Sequence, residues 1–164
     1  MKYTIVSILL LLLYPGKSSA HEALITNSGD TLVYGLWDPP YQTRRNYTIK
    51  VMPNRVYFFV ETWSKVLLKK SFPLKKSEYR SFLKSLDSLH IKNIPVRGDP
   101  CIGSGSETLL LYPGTPAQVK GYVSYCGNDV HGTLDGDVQA ASRLFKALVP
   151  KLEETLEALD KDDQ

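Results

Sequence analysis

The sequence predicts an α+β domain: an antiparallel β-sheet with two main helices packed on one face. Three observations predict it. Short runs of strand-forming residues separated by turn residues occupy most of the chain. A helical period interrupts them near residue 77, and a longer helical pattern closes the sequence. Two helices are too few to cover both faces of several strands, so they are expected on one.

The chain opens on MKYTIVSILLLLLYPGKSSA, with Lys2 near its start, a ten-residue apolar run from Ile5 to Tyr14 broken only by Ser7, and the breaker Pro15-Gly16. Small residues at Ser18 and Ala20 suit cleavage after Ala20, so residues 1–20 read as a signal peptide. A run of ten residues is short for roughly 30 Å of hydrocarbon, and no stable transmembrane anchor is expected. Residues 21–164 then form a single exported domain, periplasmic or secreted. Its 144 residues can bury an ordinary core.

Residues 31–37 (TLVYGLW) are strand formers, ended by Asp38-Pro39-Pro40, because proline lacks a ladder donor and restricts its predecessor. Residues 46–52 (NYTIKVM) alternate, and Pro53-Asn54 turns the chain. Residues 55–63 (RVYFFVETW) are the strongest strand. Val56, Phe58 and Val60 point one way; Tyr57, Phe59 and Trp63 point the other. Residues 65–71 are expected to pair with it as a hairpin. From Ser77, read as an N-cap, Tyr79, Phe82, Leu83, Leu86 and Leu89 mark an amphipathic helix running to about His90. Residues 95–106 read as a loop. Residues 107–112 and 119–126 read as two strands joined through Pro113-Gly114-Thr115-Pro116. From Asp137 the apolar positions Val138, Ala141, Leu144, Phe145, Leu148, Leu152, Leu156 and Leu159 follow a helical stripe, and Pro150 should kink or split it. The expected core includes Val56, Phe58, Val60, Leu83, Leu86, Leu144, Phe145 and Leu148.

Charge is distributed unevenly. Without Lys2 and Lys17 the chain keeps 18 basic and 17 acidic side chains, so the exported protein is nearly neutral. Residues 44–97 nevertheless carry 13 bases against three acids, and residues 98–164 carry five against 11. Such a field either steers a charged partner or is neutralised where the two parts meet.

The segment YCGNDVHGTLDGDV (125–138) resembles a metal or catalytic loop in composition only. Read as a calcium loop from Asp129, it places His131, Thr133 and Ala140 at ligand positions and Leu134 where glycine is required. It reads instead as a glycine turn, with Asp137 capping the last helix. A free N-terminal His21 would supply part of a copper histidine brace, but that needs a second histidine. His90 and His131 have no sequence relation to it. No metal and no cofactor are expected. Residues 103–107 (GSGSE) are not a nucleophile elbow, and Glu61 or Glu107 lacks an identifiable acid–base partner, so no catalytic residue is assigned. Asn46-Tyr47-Thr48 fits the N-glycosylation pattern. Cys101 and Cys126 are the only cysteines, and in an oxidising compartment they pair economically as one disulfide. Closing roughly 25 residues contributes about 3.5 kcal/mol in the chain-entropy model.

Function is therefore expected to be non-catalytic binding, of the inhibitor or immunity type that blocks a protein partner. A small hydrolase and a structural envelope component are the alternatives. Export argues against nucleic acid as partner. Tyr57, Trp63, Lys69, Lys70, Lys75 and Lys76 are the candidate partner-binding residues, because they combine aromatic area with positive charge suited to an acidic protein surface.

Overall fold

Alternating apolar residues build most of the molecule, because each strand has one face to bury. The computed structural model describes residues 31–37, 46–62, 65–100 and 104–162. Among them are eight strands and three helices, in the order β1 (Leu32–Trp37), β2 (Asn46–Met52), β3 (Arg55–Glu61), β4 (Val66–Pro73), α1 (Lys76–Asp87), β5 (Lys92–Arg97), β6 (Ser106–Leu111), β7 (Val119–Cys126), β8 (Asp129–Asp135), α2 (Val138–Ala147) and α3 (Leu152–Asp162). The strands form one sheet, ordered β4-β3-β2-β1-β6-β7-β8-β5, and every pairing is antiparallel. The fold is α+β.

Register sorts the side chains. Residues directly opposite one another share a sheet face, so Phe58, Ile49, Tyr34 and Leu109 form one continuous row across β3, β2, β1 and β6. Val60, Tyr47, Leu36, Glu107 and Val123 form the next row. The apolar members of these rows belong to the same cluster as Phe82 and Leu86 of α1, Phe145 of α2 and Leu152 of α3. Phe145 joins the layers. Its ring stacks on Tyr34 at 5.7 Å and meets Phe82 edge-on at 5.1 Å.

Of the expected core, Val56, Phe58, Val60, Leu86 and Phe145 are buried, while Leu83, Leu144 and Leu148 are partly buried against it. Those three flank the stripe instead of centring it. Helix α1 begins at Lys76, not after a Ser77 cap. Lys75 occupies the cap position, and the Glu78 carboxylate accepts from its backbone N–H at 2.9 Å. The helix ends at Asp87, earlier than His90, and His90 adopts positive φ in the turn that follows. Residues 95–97, read from their proline as loop, belong to β5, since an edge strand tolerates Pro95 where a central one would lose a ladder bond.

The glycine-rich segment after Cys126 is more ordered than a turn. Gly127-Asn128 makes a two-residue hairpin turn, with φ of 63° at Gly127, and β8 runs on from Asp129 to Asp135. Gly132 and His131 therefore lie in a strand. Asp137 does cap α2, its Oδ1 accepting from the Ala140 N–H at 2.9 Å. Asp137→Ala is expected to lower stability by about 1 kcal/mol, measured as a reduced urea midpoint with unchanged slope. Between α2 and α3, residues 148–151 form the turn that holds Pro150, with Lys151 at φ 54°.

Candidate functional site

The sheet face opposite the cluster carries a different chemistry. Lys69, Phe59, Thr48, Gly35, Thr108 and Tyr122 lie opposite one another across β4, β3, β2, β1, β6 and β7. The neighbouring row runs Ser71, Tyr57, Lys50, Val33, Leu110 and Lys120. Phe59 and Leu110 are buried, yet both stand outside the main apolar cluster. The alternation of β3 thus serves two separate surfaces.

Toward the β4 edge this second face becomes cationic and aromatic. Lys50 Nζ and Lys69 Nζ each lie 5.6 Å from the Phe59 ring centroid, and Tyr57 stacks beside Phe59 at 6.3 Å. Burial holds the Lys50 ammonium below the ordinary lysine range; Glu61 opposes that shift and Lys69 adds to it. Lys50 is a site residue that the sequence reading missed. Its place between Ile49 and Val51 in a strand showed which face it took, but not that two lysines would flank one ring.

The candidate partner-binding residues separate on folding. Tyr57 and Lys69 share the second face, whereas Lys70, opposite Phe58, projects from the other side of β4. Lys75 and Lys76 stand at the start of α1. Trp63 lies outside the described residues. So does Cys101, while Cys126 ends β7. His21 is also outside them.

Beyond β4 the chain forms a groove of about 460 Å³ between the β2–β3 turn and α1. Pro53, Leu74, Tyr79 and Leu83 give it apolar walls, and Lys76 and Arg80 add positive charge. Among the described residues, Lys50, Lys69, Lys70, Lys75, Lys76 and Arg80 form no ion pair. The pairs there are Lys92 and Arg97 with Asp135, Lys146 with Glu107, and Lys151 with Glu154. Among the described residues, the ion pairs that join the basic stretch to the acidic one are those at β5–β8. There the Gly136 backbone N–H, with Lys92 and Arg97, holds the Asp135 carboxyl below the usual carboxylate range.

Two further clusters bear on catalysis. On the helix-facing side, Glu107 Oε1 accepts from Tyr34 Oη at 3.0 Å and Ser142 Oγ at 2.8 Å, with Lys146 Nζ at 3.9 Å. Tyr34 and Ser142 are buried, and burial, with Tyr47 and Glu107 nearby, pushes the Tyr34 phenol far above its ordinary range. This network ties β1, β6 and α2 together across the core. It holds a hydroxyl beside a carboxylate without an imidazole, and the buried Ser142 offers substrate no approach. Glu61 lies on the opposite sheet face, so the two glutamates do not act together.

On the second face, His131 Nδ1 lies 3.0 Å from Gly98 O, so it donates. Nε2 lies 3.0 Å from Tyr122 Oη. Ser124 faces His131 across the ladder and shares a 2.6 Å hydrogen bond with Ser106. Both imidazole nitrogens are already engaged, which makes His131 a latch for the chain at Gly98 and not a base for Ser124. Among the described residues no group of three or more His, Cys, Asp or Glu side chains is placed to hold a metal ion, and no helix is long and apolar enough to cross a membrane.

Comparison with known proteins finds no matching family model, no matching curated protein and no matching solved structure, so the chemistry of the site rests on the chain's own residues.

Proposed function

We propose that the protein is an exported, non-catalytic binding protein of the inhibitor or immunity type, which recognises the acidic surface of a protein partner. The observation that carries this reading is the run of cations from β4 into α1, Lys69, Lys70, Lys75 and Lys76, which form no ion pair among the described residues. Two of them work against local stability. Lys75 and Lys76 sit at the positive end of the α1 dipole, where a carboxylate would stabilise the helix by about 0.3–1 kcal/mol. Residues that oppose their own helix are expected where binding is the use. The reading takes the helices as cover for one sheet face, with α2 and the chain after Pro150 as parts of one C-terminal unit. It also takes residues 1–20 as a removed signal and Cys101–Cys126 as one disulfide. The intact mass of the mature protein should lack residues 1–20 and two hydrogens; a mass with both thiols free would remove the disulfide.

Reversal of Lys69, Lys70, Lys75 and Lys76 to glutamate tests the binding face. Affinity capture from the envelope and medium of the producing cells should identify a stoichiometric partner. The reversed protein should associate with it about tenfold or more slowly at low salt. Its melting temperature should hold, since Glu at positions 75 and 76 suits the helix dipole. Unchanged association would discard this face.

A further inference from the structure

We infer that the outer edge of β4 is a docking strand, to which an extended acidic segment of a partner polypeptide adds as a ninth strand of the sheet. The inference rests on the binding-protein reading and gives the partner's contact a backbone geometry. Among the described residues, strand β4 is last in the sheet order and pairs with β3 alone. It is eight residues long, and its pairing to β3 is regular from Leu68 to Pro73. The opposite edge, β5, is less suited. It contains Pro95, and its register to β8 shifts between Asn93 and Arg97. A strand edge offers a row of backbone donors and acceptors, which is how extended peptides gain affinity for a sheet.

Side chains on β4 choose the occupant. Lys69 and Lys70 project to opposite faces, so a paired strand with acidic residues at alternate positions would meet a lysine at cross-strand distance whichever face those residues take. Val66 is 53% exposed, and Leu67 and Phe72 are only half-buried, leaving apolar area for an added strand to cover. A second copy of the chain is a poor occupant. Antiparallel β4–β4 pairing about Lys69 and Lys70 sets lysines against lysines, the arrangement that discourages edge-to-edge self-association. The chain's own acidic run at Glu153, Glu154 and Glu157 is helical and cannot serve as a strand.

The test uses a defined probe, the peptide acetyl-(Glu-Val)4-amide at millimolar concentration, with amide exchange read by NMR on the full mature protein. Exchange at alternating β4 positions between residues 67 and 72 should slow by about tenfold. Acetyl-(Lys-Val)4-amide should give no protection, and a Glu-Val peptide methylated on every backbone nitrogen should give none either, because it keeps its charge but has no donors. Equal effects from the methylated and unmethylated peptides, or absence of β4 protection with either, would overturn strand addition. Loss of the captured partner on lysine reversal, without peptide protection of β4, would overturn strand addition while leaving the binding reading intact.

Discussion

Phe145→Ala is expected to cost about 3–5 kcal/mol of folding stability, the largest loss from any single truncation in the core. The ring is fully buried and touches both layers, through Tyr34 on β1 and Phe82 on α1. Its removal takes away transferred apolar area and leaves a cavity that sheet and helix cannot both collapse into. The cavity would also border the Tyr34–Glu107–Ser142 network, where hydroxyls buried against a carboxylate depend on fixed geometry. Urea unfolding checks the number, and a loss below about 1 kcal/mol would contradict the packing described. Phe145→Leu keeps most of the volume and should lose less. Binding through β4 should survive both changes if the protein remains folded, because the Phe145 ring packs on Tyr34 of β1 and Phe82 of α1, away from the outer edge of β4.

Much of the fold was legible because hydrophobic period is a local property. Val56, Phe58 and Val60 declared one face of β3, and Tyr79, Phe82 and Leu86 declared the buried stripe of α1. What was hidden depended on contacts between distant segments. Pro95 signals a loop unless its strand lies at an edge, and only the sheet order shows that β5 does. His131 and Gly132 sit among turn residues in sequence, yet pairing with Ser124 and Val123 makes them strand. The candidate site was legible in the same partial way. Positive charge in residues 65–76 was plain, but the separation of Lys69 from Lys70 follows from strand alternation, and the recruitment of Lys50 from three-strand register. Glu107 sits in a strand beside apolar residues, and nothing local indicated that it faced the helices.

Gly132→Ala is expected to cost about 2–4 kcal/mol, although it adds one methyl group. Two effects act together. The backbone has φ of 148°, a conformation that L side chains rarely adopt. An added Cβ would also lie 2.2 Å from Tyr122 O and 2.9 Å from Val123 Cα. Both neighbours are backbone atoms of β7, so the clash cannot be relieved by a rotamer change; the β7–β8 ladder must open. Gly127 provides the comparison. It has φ of 63° with nothing near its missing Cβ, so Gly127→Ala should carry only the conformational cost, about 1 kcal/mol. Denaturant unfolding of the two variants separates conformation from close approach, and equal losses would show that β7 and β8 are not packed this tightly at Gly132. The opened ladder would disturb His131 and its bonds to Tyr122 and Gly98. Strand β4 lies at the far end of the sheet, so a folded Gly132→Ala protein should keep its partner affinity while losing stability. The lysine reversals should do the opposite, and that opposition distinguishes the part of the sheet that holds the fold from the part proposed to bind.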